Sequence, residues 1–294
     1  MDLLVVGGSG FLGLEITRQA RRADHCVAAT FHSGVPAVAD VDWRNLDIRH
    51  RDDVTALVLA ARPDVIVNAA YRQSDWATTA EGGMHVALAA AVAGARLVHV
   101  SSDAVFSGTT ARYDETHVPD PATPYGAAKA AAETAIKGIT PTAVIARTSL
   151  IIGDGDSPHE RHVHALAAGA VTGALFTDDV RCPVHVTDLA SALLELAASP
   201  YSGIHHVAGK DAISRYELGV LIARRDGLDQ ATLPTGLRAS TGLPGPIDVR
   251  LDSTNTQARL NTRLRGAREF LAPTPTSTRS SRATTSSVRC RPRP

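Results

Sequence analysis

The sequence predicts an α/β protein, a doubly wound parallel sheet carrying a small C-terminal cap, and three observations point to it. Short apolar runs alternate with helical patterns through the first half of the chain. A glycine-rich turn joins the first apolar run to the first helical pattern. Pro63 and Gly94 then punctuate the chain just ahead of two further apolar runs, Asp64-Val-Ile-Val-Asn68 and Leu97-Val-His-Val100.

Asp2-Leu-Leu-Val-Val6 is short and apolar enough for a buried parallel strand. Gly7-Gly-Ser-Gly-Phe-Leu-Gly13 follows at once, and a helical pattern bearing Leu14, Ile16 and Ala20 begins at Phe11. Glycines there allow a tight turn and let the backbone approach a pyrophosphate lying at the positive end of the helix. With a strand before it and a helix after it, the turn is read as nucleotide-binding through Gly7, Gly10, Phe11, Leu12 and Gly13. Further strands are expected near 26–30, 43–47, 64–68, 96–101 and 142–148, and helices near 11–22, 51–61, 77–93 and 124–137. Later elements are shorter: helices near 160–170, 187–198 and 214–225, and a strand near 203–207. Residues 1–150 are thus assigned to the dinucleotide-binding core, and 151–271 to its completion and a substrate-binding cap. Residues 272–294 hold five arginines, no acid and almost nothing to bury, so a disordered tail is expected.

The 294 residues carry a formal net charge of zero, or −5 without the five tail arginines. Neither value implies attraction to nucleic acid or an anionic membrane. Cys26, Cys182 and Cys290 are scattered with no CxxC, which suits a reducing compartment better than a disulfide framework. No apolar stretch reaches membrane-spanning length, and a strand starting at residue 2 leaves no room for a signal peptide. A soluble cytoplasmic protein is expected.

Tyr125-Gly-Ala-Ala-Lys129 uses one of only three lysines and one of five tyrosines. Residues four apart share a helix face, so this phenol and ammonium can address one bound molecule. A neighbouring cation lowers a phenol's pKa, which makes a tyrosine useful in proton transfer near neutrality. Alone, the pair reads equally well as a half-buried tyrosine beside a solvated lysine. Upstream, the strand ending at Val100 runs into Ser101-Ser102-Asp103, where a ligand of such a sheet would lie.

Glycine turn, hydroxyl after a central strand, and Tyr-x-x-x-Lys form an ordered set that resembles the extended short-chain dehydrogenase/reductase family. Further segments resemble its dTDP-4-dehydrorhamnose reductase branch, from residue 1 to about 271. They are Asn68-Ala-Ala-Tyr71, Val100-Ser-Ser-Asp-Ala-Val-Phe-Ser-Gly108, Tyr113-Asp-Glu115, Pro124-Tyr-Gly126, Arg147-Thr-Ser149 and Pro246-Ile-Asp-Val-Arg-Leu-Asp252. The resemblance implies a Rossmann core and hydride transfer from NADPH or NADH to a nucleotide-linked 4-ketosugar. It implies that Tyr125 protonates the emerging alkoxide, Ser102 holds the carbonyl oxygen, and Lys129 binds the nicotinamide ribose while lowering the Tyr125 pKa. By the same resemblance Asp47 and Ile48 contact adenine, Ala69, Ala70 and Tyr71 line the fourth strand's end, and Asp103 lies on the substrate side. Arg181, within Arg181-Cys-Pro-Val-His185, pairs either with a nucleotide diphosphate or in a structural salt bridge; Cys182 is read as packed.

An NAD site usually places an acid about twenty residues past the glycines. Thr30-Phe-His-Ser33 stands there instead, with no acid between His25 and Ala39. His32 and Ser33 can therefore accept a 2′-phosphate, assisted by Arg44 or Arg51. NADP is favoured, and NAD is left open. The chain departs from the branch at Ala104 and Leu150, where aromatics often hold the sugar, and at Thr79, where many superfamily members have a helix-borne Asn. His159-Glu-Arg-His-Val-His164 lacks the His-Glu-x-x-His spacing of a zinc site and reads as a surface helix start, so no metal is expected. The alternatives kept are an NAD-dependent sugar-nucleotide epimerase and a non-catalytic cofactor-binding regulatory subunit. A nucleotide sugar is the expected partner, and a homodimer is left open.

Overall fold

Strands that are apolar on both faces need cover on both faces, and that requirement organises the chain. The computed structural model describes residues 1–273. Among the described residues seven parallel strands form one sheet: β1 (Asp2–Val6), β2 (Cys26–Phe31), β3 (Asp42–Asn45), β4 (Val65–Asn68), β5 (Arg96–Ser102), β6 (Val144–Thr148) and β7 (Gly203–His206). Their spatial order is β7-β6-β5-β4-β1-β2-β3. The predicted doubly wound parallel sheet is what forms.

The helices are α1 (Phe11–Arg22), α2 (Arg51–Ala61), α3 (Gly82–Ala93), α4 (Pro124–Ile139), α5 (Pro158–Ala167), α6 (Val186–Ala198) and α7 (Arg215–Asp226). Alternate residues of each strand serve opposite layers. Leu3 and Val5 join Leu12, Ile16 and Ala20 of α1 and Leu189 and Leu193 of α6. Leu4 and Val6 join Val54 and Val58 of α2, Val86 of α3 and Ile136 of α4.

Two boundaries differ from expectation. β3 stops at Asn45, so Asp47 and Ile48 lie in the loop beyond it. The helix expected at 77–93 begins as one turn of π-helix, Ala77–Glu81, before α3. There the Thr79 hydroxyl donates to the Arg72 carbonyl (2.7 Å) and accepts from its N–H (3.1 Å). Residues past 150 divide between two bodies. α6 and β7 complete the main sheet and its cover, whereas α5 and α7 pack around a separate apolar cluster that includes Leu150, Ile152, Val163 and Ile222. From residue 274 onward the expected tail lies outside the described residues. No helix among those described is long and apolar enough to cross a membrane.

Candidate active site

The sheet order reverses at β1, whose neighbours are β2 and β4, and a crevice opens beyond the strand ends at such a reversal. Gly7, at the end of β1, has φ +80°, a conformation glycine adopts at no steric cost. A Cβ on Gly7 would lie 2.7 Å from the Ala70 nitrogen, and one on Gly13 only 2.1 Å from the Gly7 carbonyl oxygen. The first glycine thus lets the turn press against Ala69-Ala70, and the last lets α1 close onto the turn. Gly10 is the N-cap of α1 and carries no side-chain cap, so the helix start keeps N–H groups facing the crevice. Phe11 is half-buried with its ring against Gly153, and Leu12 is buried in the core.

Two residues that hold this cradle went unassigned in the sequence reading. Thr30 Oγ1 accepts from the Gly7 N–H (2.9 Å), and Asn68 Oδ1 accepts from the Ala70 N–H (3.1 Å). Their signal was present in the sequence, since each is a polar residue closing a strand next to the turn. The cradle fits a dinucleotide, because a side chain at Gly7 or Gly13 would fill it.

Ser102 ends β5, and its hydroxyl accepts from the Ala104 N–H (3.2 Å), capping the short turn Asp103–Val105. Thr123 caps α4, accepting from Gly126 N–H (3.1 Å), and Pro124 occupies the first helical turn. A Cβ on Gly126 would sit 2.0 Å from the Ala104 carbonyl oxygen, so α4 starts directly on that turn. That contact brings Tyr125 near Ser102, close enough for the serine to act on its phenol. Lys129, 2% exposed, donates from Nζ to the Val100 carbonyl (2.9 Å) and lies 5.0 Å from the Tyr71 ring centroid. The rings of Tyr71 and Tyr125 are 5.9 Å apart.

The electrostatics correct one expectation. Burial pushes the Tyr125 phenol well above its usual range, with Tyr71 adding to the rise and Ser102 opposing it. Burial also lowers Lys129, to about 8, against the attraction of Glu133. The shift is therefore opposite to the expected lowering, and desolvation rather than the lysine's charge sets its direction. At neutral pH the phenol holds its proton, which is the form a donor needs.

Beside His32 the structure places Asp47, the residue expected by resemblance to contact adenine. Asp47 Oδ2 comes within 3.7 Å of His32 Nε2, and Asp47 is clamped by Arg49 through Nε (3.0 Å) and Nη2 (2.5 Å). The hydrogen bond from Arg49 is the largest cause holding the Asp47 carboxyl well below the usual carboxylate range. His32 is exposed, as is Ser33. Of the assistants expected for them, Arg44 pairs with Asp42 (2.8 Å) and Arg51 opens α2, whereas Arg49, not among those expected, shares the Asp47 carboxylate with His32. Ile48 is 5% exposed and packs under Gly82, so Asp47 alone of that pair offers a side chain to the crevice.

Beyond β5, Asp103 Oδ2 accepts from Ser149 Oγ (2.7 Å) and lies 3.7 Å from Arg181 Nε. Arg181 also meets Asp179 (2.8 Å) and the carbonyls of Val180, Ile247 and Pro246, and is 7% exposed. Of its two readings, the geometry displays the salt bridge. Asp179 reaches on to Arg215 (3.4 Å), and both line a cavity of about 200 Å³ with His159, His162 and Phe176. Sequence reading singled out neither Asp179 nor Arg215. Leu150, at one expected aromatic position, is 9% exposed within the cap's apolar cluster. Cys182 is 3% exposed and its thiol is pushed up to about 12 by burial, so it is packed. His159 approaches Arg215 (3.4 Å) and His164 pairs with Asp226 (2.7 Å), two separate attachments.

Comparison with known proteins places the chain in a family. A model of the RmlD substrate binding domain family matches residues 1–277. The probable low-salt glycan biosynthesis reductase Agl14 of Haloferax volcanii is 30% identical over 278 residues, 88% of this chain and 92% of that protein. A dTDP-4-dehydrorhamnose reductase of Mycobacterium tuberculosis is 31% identical over 251 residues, covering 83% and 82%. The crystal structure of dTDP-4-dehydrorhamnose reductase from Bacillus anthracis in complex with NADP superposes with a TM-score of 0.78 at 22% identity, covering 92% of this chain and 96% of that one, a likeness of fold. The chain belongs to the RmlD substrate binding domain family, within the extended short-chain dehydrogenase/reductases.

Proposed function

We propose that this protein is an NADPH-dependent reductase of a nucleotide-linked 4-ketosugar. The observation that carries the reading is the meeting of Ser102, Tyr125 and Lys129 beside the glycine cradle. A protein that only bound a nucleotide would need the cradle but not a buried phenol set near a serine and one helical turn from a buried lysine. Both relatives compared in sequence are named as reductases.

NADPH, when bound, supplies the hydride. The residues of the chain supply the rest. Ser102 Oγ donates to the carbonyl oxygen of the sugar and holds it for attack. Tyr125, kept protonated by burial, donates its proton to that oxygen as carbonyl becomes alcohol. Lys129, fixed by the Val100 carbonyl, holds the nicotinamide ribose. Gly7, Gly10 and Gly13 admit the pyrophosphate, and Ala69, Ala70 and Tyr71 form the wall of the cradle opposite. His32 and Ser33 receive the 2′-phosphate, with Arg49 as the nearby cation. Asp103 faces the sugar, and the cavity by Asp179 and Arg215 takes the nucleotide end. Ala104 and Leu150 leave the sugar without two aromatic contacts, so the assignment is to the class of 4-ketosugars. The test is NADPH oxidation by purified protein across a panel of nucleotide-linked 4-ketosugars. Turnover of at least one is expected, and no oxidation with any would refute the reading.

A further inference from the structure

Glu133 lies one helical turn beyond Lys129 on the same face of α4 and is 1% exposed. It accepts from Ser101 Oγ (2.5 Å) and from Arg147 Nε (3.0 Å) and Nη2 (2.8 Å). Arg147, on β6, is itself 1% exposed; its Nη1 donates to the His117 carbonyl, and its guanidinium lies 4.9 Å from the Phe106 ring. Ser101 sits between Val100, whose carbonyl takes the Lys129 ammonium, and the active-site Ser102. One buried carboxylate is therefore paired with a buried arginine and lies one helical turn from a buried lysine on the same face, within reach of its charge. The two cations have different freedom, because an arginine stays charged in a protein interior whereas a buried lysine can shed its proton.

We propose that Glu133 is a positioning residue for Lys129: its carboxylate keeps the buried ammonium charged and seated on Val100, while Ser101 and Arg147 hold the carboxylate in place. The inference deepens the reductase reading and rests on it for the role of Lys129. Among the described residues the other groups around the ammonium offer no second anion. They are Tyr125 on α4, the Tyr71 ring beyond β4, and His99 on β5, which is held neutral by burial and by the lysine's own charge. Asp103 beyond β5 is engaged by Ser149 and Arg181.

The chain has three lysines, and Lys137 and Lys210 are exposed, so Lys129 can be followed directly. The experiment is a pH titration of full-length protein labelled with ¹³Cε-lysine, the Lys129 signal being assigned by its loss in Lys129→Arg. In wild type that signal is expected to titrate near pH 8. Glu133→Gln should move it lower by about one unit or more, because a buried opposite charge is gone. Glu133→Asp should restore most of the difference. Arg147→Gln, which leaves the carboxylate to the lysine alone, should move it higher, and it decides the matter if Glu133→Gln does not fold. A merely structural role would not give shifts of opposite sign. An unmoved signal in Glu133→Gln, or an unmoved or lowered one in Arg147→Gln, overturns the proposal. The titration needs no substrate: shifts without carbonyl reduction would sink the functional reading and leave this one, and reduction without shifts would do the reverse.

Discussion

Arg181 Nε lies 3.7 Å from the Asp103 carboxylate, with both side chains less than a tenth exposed, and this pair joins the turn that follows Ser102 to the cap. Asp179 and Arg215 extend the alternation of charge to the cavity beside α5 and α7. A neutral Met at 181 keeps the length of the side chain and leaves Asp103 and Asp179 short of a cation. Removing one member of a buried pair typically costs ~3–5 kcal/mol. The lower end is expected for Arg181→Met, since Ser149 still serves Asp103 and Arg215 still serves Asp179. Urea denaturation measures it; a loss under about 1 kcal/mol would show that solvent already screens the pair.

Tyr125→Phe removes the phenolic proton and preserves ring packing against Tyr71. If Tyr125 is the donor, kcat falls by about 10²–10⁴-fold while the affinity for NADPH hardly changes. Near-wild-type turnover would assign the proton to another group.

His32→Asp sets a second carboxylate beside Asp47, which already lies 3.7 Å from the His32 ring. A 2′-phosphate is then repelled, and the ribose hydroxyl of NADH gains an acceptor. The ratio of kcat/KM for NADPH over NADH should drop by roughly tenfold or more, the worth of one hydrogen bond to a charged group. Arg49→Gln should lower the same ratio by taking away the nearby cation. Constant ratios in both variants would move the 2′-phosphate elsewhere.

Gly13→Ala places a methyl 2.1 Å from the Gly7 carbonyl oxygen, backbone that cannot yield without opening the cradle. Overpacking of this kind costs about 1–3 kcal/mol. A lower Tm is expected, together with loss of the Tm increase that NADPH gives the wild type. An undiminished increase would mean that the cofactor does not use this turn.

Stability should fall in mild acid. Burial lowers His159 and His206 to about 4 and holds His99 well below its ordinary value. Between these values and the unfolded value near 6.5, the unfolded chain binds more protons than the folded one. Stability present above about pH 6.5 is therefore lost as pH falls toward 4, at up to about 1.4 kcal/mol per pH unit for each histidine. Thermal melts from pH 7.5 to 5 test this, and a constant Tm would mean that these rings are already solvated.

The sequence by itself was enough for the sheet, the glycine turn and Tyr125-x-x-x-Lys129, because those signals are local. Strand apolarity, turn glycines and helix spacing each act within a few residues, and backbone sterics enforce them. Leu3 and Leu4 already face opposite layers once β1 is known to be covered on both sides. Tertiary structure alone decided whatever depends on groups far apart in the chain. Asp47 enters the surroundings of His32 only because β2 and β3 pair, although no acid stands nearby in sequence. Burial, a property of the whole fold, reversed the expected shift of Tyr125. Arg147 and Glu133 are fourteen residues apart, and nothing in the sequence pairs them until β6 and α4 bring them together. Desolvation and long-range pairing are sums over every neighbour, and a single chain order does not list those neighbours.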